Sequence, residues 1–162
     1  MRLSSDEHFV DTNVVIECHR TGCWEALARN YRLATVDKVI EECATGMHET
    51  MDIGKVREVV QTYRVSDGEL IQLRMDLRGR VILDPGEEHL LAHAARRSGP
   101  WCICSPDSAL VRGTWLLGLL DRNVSLEFLL NSIGHTTARP LRNQYTERWL
   151  SRKRTDLQLE TN

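Results

Sequence analysis

A chain of 162 residues, 41% hydrophobic and 27% charged, is long enough to bury one sizeable core and short for two. That composition excludes a disordered or fibrous chain, and no apolar stretch approaches membrane-spanning length, so no membrane partner is expected. The net charge of −2 hides an asymmetry: Arg139 to Arg154 carries six Arg or Lys residues against one acid, Glu147, a run that suits either a solvated face or contact with phosphates.

The start, Met1 to His8, lacks a signal-peptide core. Five cysteines, an odd number in mostly apolar surroundings, predict buried reduced thiols and a cytoplasmic setting. A zinc site from Cys18, Cys23, Cys102 and Cys104 is set aside, because neither pair has the two-residue spacing of structural zinc sites.

In chain order, a short strand over His8–Asp11 runs into helical sequence at Val14–Cys18, and a second helix covers Cys23–Asn30. Tyr31–Val36 reads as a strand. Asp37 is the expected N-cap of a helix running to Ala44 and stopped by Thr45–Gly46. The middle third predicts two amphipathic helices, one through Val56, Val59, Val60 and Tyr63, the other opened by a capping box at Ser66–Asp67–Gly68–Glu69. They carry more apolar surface than a sheet is expected to cover, which predicts a homodimer or a protein partner. After the apolar run Val81–Leu83, a helix is predicted from Pro85 to Arg97, a buried strand at Trp101–Cys104, and a helix from Pro106. Helical sequence continues through Trp115–Leu117 and Leu126–Leu130, Gly134–Pro140 is a linker, and Gln144–Lys153 forms a last helix. Strands separated by helices imply a mainly parallel sheet covered by helices, with ligands bound beyond the carboxyl ends of the strands.

Four carboxylates stand beside predicted element ends: Asp11, Glu42, Glu87 and Asp107. Asp11 fits a helix cap, but Thr12 and Asn13 beside it add oxygen donors that a cap does not require. In the third predicted helix Val39, Ile40 and Cys43 mark the buried face. At about 100° per residue Glu41 points away from it and Glu42 lies on the flank, within reach of a cleft. Asp84–Pro85–Gly86–Glu87 fits a capping box, yet Glu87 also shares the stripe of Leu90, Leu91 and Ala94, where a charge is costly unless paired or metal-bound. Glu88, on the flank, is the substitute acid. Asp107 is expected in the first helical turn behind an N-cap at Ser105, a position the helix dipole favours for an acid. His89 and His93 have metal-site spacing, but Leu90 stands where a zinc-protease helix needs its Glu, and both are read as surface residues.

The segments Phe9–Val10–Asp11–Thr12–Asn13, Val39–Ile40–Glu41–Glu42, Pro85–Gly86–Glu87 with Leu90–Leu91–Ala92, and Cys104–Ser105–Pro106–Asp107 together resemble the PIN-domain nucleases, including VapC-type toxins of toxin–antitoxin pairs. The resemblance spans roughly Phe9 to Gly134. It implies a three-layer α/β/α sandwich with a central parallel sheet over residues 1–134, followed by a basic, partly helical extension at 135–162. It also implies a Mg²⁺- or Mn²⁺-dependent endoribonuclease leaving a 5′-phosphate and a 3′-hydroxyl. Asp11, Glu42, Glu87 and Asp107 become metal-site acids by that likeness, with Thr12, Asn13 and Ser105 as supporting polar residues. Arg139, Arg142, Arg152, Lys153 and Arg154 become RNA contacts, and an antitoxin becomes an expected partner. The sequence departs from the family pattern in having Glu at its third acid, which leaves Glu87 and Glu88 both open.

Two rivals stand beside this reading. A PIN-like module can keep the fold and bind RNA or protein without catalysis. A haloacid-dehalogenase-like phosphatase needs a second Asp two residues after the first, where this chain has Asn13.

Overall fold

The computed structural model describes residues 6–46 and 51–160; the expectation about a signal peptide falls partly on residues 1–5, outside them. Strand β1 (Glu7–Val10) leads through helices α1 (Thr12–Thr21) and α2 (Trp24–Asn30) to β2 (Arg32–Val36). Helices α3 (Asp37–Thr45) and α4 (Ile53–Val59) lead to β3 (Gln61–Tyr63), and α5 (Asp67–Leu77) and α6 (Pro85–Ala94) lead to β4 (Trp101–Cys104). Helices α7 (Ser108–Leu116), α8 (Leu126–Ser132) and α9 (Glu147–Leu159) complete the chain, with 3-10 turns at Leu120–Arg122 and Asn143–Tyr145.

The four strands form one all-parallel sheet in the order β3-β2-β1-β4. Because side chains alternate along a strand, β1 faces two layers at once. Phe9 meets His93 of α6 at a ring separation of 6.0 Å, while His8 on the other face stacks near Tyr31, whose hydroxyl donates to the Leu129 carbonyl of α8. All four β1 residues are buried, as a doubly covered parallel strand requires. The architecture is therefore a three-layer α/β/α sandwich. Among the described residues, no helix is long and apolar enough to cross a membrane.

Several boundaries differ from the expectation. The first middle helix stops at Val59, and Gln61–Tyr63 becomes the edge strand β3, paired with β2 from Ala34↔Gln61 to Val36↔Tyr63. The run Val59–Val60–Gln61–Thr62–Tyr63 is β-branched and aromatic, so pairing overrides a spacing that also fits a helix. Asp37 is the first helical residue rather than the cap, because β2 enters α3 directly and Val36 takes the cap position. Helix α6 ends at Ala94, not Arg97: Arg96 N–H and Arg97 N–H bond back three residues, and this tightened turn brings Arg97 to Glu7. His93 is not a surface residue. It stacks on Tyr63 at 4.5 Å and its Nδ1 lies 3.0 Å from Glu69 Oε1. The last helix starts later, at Glu147 behind the Thr146 cap, because Asn143–Tyr145 is a 3-10 turn.

The second middle helix begins as expected, with the reciprocal Ser66–Glu69 capping box in place. It buries Leu73 and Leu77 and turns Ile71 and Met75 to the exterior, near the exposed Ile82 of the following loop in sequence. Helix α9 packs Leu150 and Leu157 on Val111 of α7, and Tyr145 joins the main core.

Candidate functional site

β1 and β4 are neighbours, with Val10 level with Cys104, so the residues that follow them, Asp11 and Ser105, emerge side by side at one sheet edge. The chain leaves β1 toward β2 on one side, while β4 lies on the other. This is the point in a parallel sheet where connections diverge and leave a crevice.

Asp11 divides its carboxylate between two tasks. Oδ1 accepts from the Val14 amide at 3.0 Å, capping α1, and Oδ2 accepts from the Ser105 hydroxyl at 2.5 Å. The Ser105 hydroxyl in turn accepts from the Asp107 amide at 3.1 Å. Asp107, not Ser105, is the N-cap of α7: its Oδ1 accepts from Ala109 N–H at 2.7 Å and Leu110 N–H at 3.3 Å. The expected cap at Ser105 was displaced because that hydroxyl is committed to Asp11. Capping leaves Asp107 Oδ2 outside the helix end.

Glu87 likewise caps and faces the pocket. It accepts from the Asp84 amide at 3.1 Å, and its carboxyl lies within hydrogen-bonding reach of Asp107. Burial, then the charges of Asp107 and Asp11, pushes Glu87 up to about 8. Burial also raises Asp11 to about 6, with a further push from Asp107, against the pull of the Ser105 and Val14 hydrogen bonds. Among the described residues, Asp11, Glu87 and Asp107 have no ion-pair partner. Glu88 points elsewhere and pairs with Arg74 of α5.

Glu42 turns toward the same region while Glu41, exposed, pairs with Lys38. Its Oε2 accepts from the Thr12 hydroxyl at 2.7 Å and its Oε1 from the Gly86 amide at 2.9 Å, tying α3 to the first turns of α1 and α6. A Cβ on residue 86 would collide with the Glu42 carboxylate, coming within 2.8 Å of its Cδ, so only glycine admits this approach. Asn13 is exposed beside Thr12, and its carbonyl accepts from the Tyr145 hydroxyl at 3.1 Å. Of the basic residues proposed as RNA contacts, Arg139, Arg142 and Arg152 are exposed, Lys153 lies over the Trp149 ring at 5.8 Å, and Arg154 pairs with Glu147 and the Asn123 carbonyl.

The structure thus brings Asp11, Glu87 and Asp107 together and sets Glu42 next to them, held by Thr12 and Gly86. Among the described residues, no three His, Cys, Asp or Glu side chains stand placed to hold a metal ion. Sequence reasoning passed over Gly86 and Tyr145, and over Glu17, which is fully buried with Arg20 bonded to it. Glu17 shares the apolar stripe of Val14, Cys18 and Thr21 on α1, and an acid at that spacing was the available signal. No protein-family model matches this chain, and no curated protein shows significant similarity to it.

Proposed function

We propose that this protein is a PIN-like, Mg²⁺- or Mn²⁺-dependent endoribonuclease. The observation that carries the reading is the placement of Asp11, Glu87 and Asp107 in one crevice without a compensating cation. Buried like charges raise one another's proton affinity, and a divalent cation relieves the same repulsion. The donor chemistry fits: the set is all oxygen, and Mg²⁺ is ordinarily held by one or two carboxylates with water completing its shell, so a closed cage of protein ligands is not required. Asp11, Glu87 and Asp107 would hold the ion, with Glu42 beside them. A bound divalent cation supplies Lewis acidity toward the phosphoryl oxygens and makes its water more acidic.

The chain's own residues do the rest. Ser105 fixes Asp11 by donating to Oδ2, and the α1 cap fixes it from the other side, so its carboxylate cannot rotate away. Glu87, with a proton affinity close to neutrality, is the member suited to take the proton from an attacking water as the P–O3′ bond breaks. Purified protein with Mn²⁺ should cleave single-stranded RNA to 5′-phosphate ends. Asp11→Asn, which keeps a capping oxygen, should lose activity on the order of a hundredfold or more. Equal cleavage by Asp11→Asn would sink the assignment.

A non-catalytic module is the second reading, favoured by one observation: both Glu42 oxygens are already occupied by Thr12 and Gly86. Calorimetric titration separates the two. Carboxylate-dependent Mn²⁺ binding, lost in Asp107→Asn, supports the enzyme, and its absence supports the module. The same reading assigns the exposed Ile71, Met75 and Ile82 to a homodimer or antitoxin contact. Sedimentation showing a monomer across micromolar concentrations would count against the dimer.

A further inference from the structure

An acidic crevice repels the polyanion it is proposed to cleave, so a cation at its mouth has work that the carboxylates cannot do. The segment from Ala138 to Tyr145 lies along one face of α1 and climbs it one turn at a time. Ala138 N–H donates to the Thr21 carbonyl at 3.2 Å, Arg142 N–H to Glu17 Oε2 at 3.2 Å, and the Tyr145 hydroxyl to the Asn13 carbonyl at 3.1 Å. Thr21, Glu17 and Asn13 are four residues apart, so the segment runs from the far end of α1 to its first turn, two residues from Asp11. Arg20 fastens the start of this climb by donating to the Pro140 carbonyl at 2.8 Å.

Arg142 is fixed in this latch by its backbone alone. Its side chain is exposed and makes no hydrogen bond or ion pair with the described residues. Its positive charge and the negative charge of Asp11 both act on the Tyr145 hydroxyl, which places the guanidinium on the crevice side. Arg154, by contrast, is committed to Asn123 and Glu147.

We propose that Arg142 is a positioning residue that seats a backbone phosphate of a single-stranded nucleic acid at the mouth of the acidic crevice. The inference rests on the nuclease reading for its consequence in catalysis, but not for its consequence in binding. Removing the side chain leaves the amide that bonds Glu17, so Arg142→Ala should melt with the parent.

The test uses the full chain and a fluorescein-labelled single-stranded RNA 20-mer of mixed sequence. Binding is followed in Ca²⁺, cleavage in Mn²⁺, for the parent, Arg142→Ala, Arg142→Lys and Arg152→Ala. Arg142→Ala should raise both Kd and KM about five- to tenfold with kcat within about twofold, and should lower the salt slope of binding by about 0.7, the value for one phosphate contact on a single strand. Arg142→Lys should recover most of the loss and Arg152→Ala should show little. Parental Kd, KM and slope in Arg142→Ala, or an equal loss in Arg152→Ala, overturns the inference. A protein that does not cleave but whose RNA binding still depends on Arg142 overturns the nuclease reading and upholds this one. A parent that neither binds nor cleaves overturns both.

Discussion

Glu7 and Glu17 are as deeply buried as Asp11 and Glu87, at 6% and 0% exposed against 3% and 7%, yet the first pair is neutralised and the second is not. Glu7 meets Arg97 and the Tyr63 hydroxyl, the latter at 2.5 Å. Glu17 meets Arg20 and the Arg142 amide. Asp11 and Glu87 meet neutral donors and, in Asp107, another acid. A chain that can place an arginine against two buried acids, but leaves two others facing a third, reveals what the fold needs and what it merely tolerates. Paired acids hold elements together; unpaired ones cost stability and call for a function.

The sharpest way to break that contrast is to remove one arginine and one pocket acid and compare signs. Arg20→Ala leaves Glu17 buried with a single amide donor, and should destabilise the fold by about 3–5 kcal/mol in urea titration. Glu87→Gln keeps an oxygen for the Asp84 amide but deletes the repelled charge, and at pH 8 without metal should stabilise by on the order of 1 kcal/mol. Destabilisation by both would erase the distinction.

pH probes the same difference more gently. Asp11 and Glu87 bind protons more tightly folded than unfolded, their ordinary values of 3.8 and 4.5 being raised to about 6 and about 8. Folding therefore takes up protons in that range. The stability linked to these groups is complete below about pH 4 and is lost as pH rises through about 6 and then about 8. In EDTA the melting temperature should fall between pH 5 and 8.5, Mn²⁺ should restore it, and Glu87→Gln should flatten the profile. A flat profile in the parent contradicts the repulsion.

Asp107 separates scaffold from chemistry within one residue. Asn caps helices as well as Asp, so Asp107→Asn should keep α7 while Asp107→Ala loses about 1 kcal/mol; both should lose Mn²⁺ binding and cleavage. Retained cleavage in Asp107→Asn would make the residue a cap and nothing more.

How much of this was legible beforehand follows the range of the interactions. β4 was predicted to the residue and the parallel, helix-covered sheet was readable, because apolar runs and turn signals are local. The choice of Glu42 over Glu41 came from helix periodicity, and Lys38 pairing with Glu41 agrees with it. The cap at Asp107 was misassigned because Ser105 was engaged by Asp11, 94 residues earlier, which no local pattern reports. Glu87 looked torn between cap and pocket; two oxygens let it serve both. β3 was hidden in a helical spacing because its pairing partner, β2, lies outside its own window. Tyr145 and Gly86 gain their meaning from single distant contacts, with Asn13 and Glu42, and were not readable at all.

The smallest expected effect lies where the two kinds of region join. The Tyr145 hydroxyl bonds the Asn13 carbonyl at the top of α1, while four residues along, Glu17 holds the Arg142 amide. Tyr145→Phe removes one hydrogen bond at the edge of the pocket and should cost about 1 kcal/mol of stability. Its informative consequence is coupling. With Tyr145 intact, Arg142 is anchored on both sides, at Glu17 and through the turn that ends at Asn13. Without the hydroxyl the turn is held at Glu17 alone, and the arginine's reach toward the crevice is less defined. The penalty of Arg142→Ala on KM should therefore shrink in the Tyr145→Phe background, since a loosely held arginine has less to lose. Strict additivity of the two substitutions would mean that the turn stays in place without the hydroxyl, and that Glu17, the neutralised acid, positions the arginine unaided.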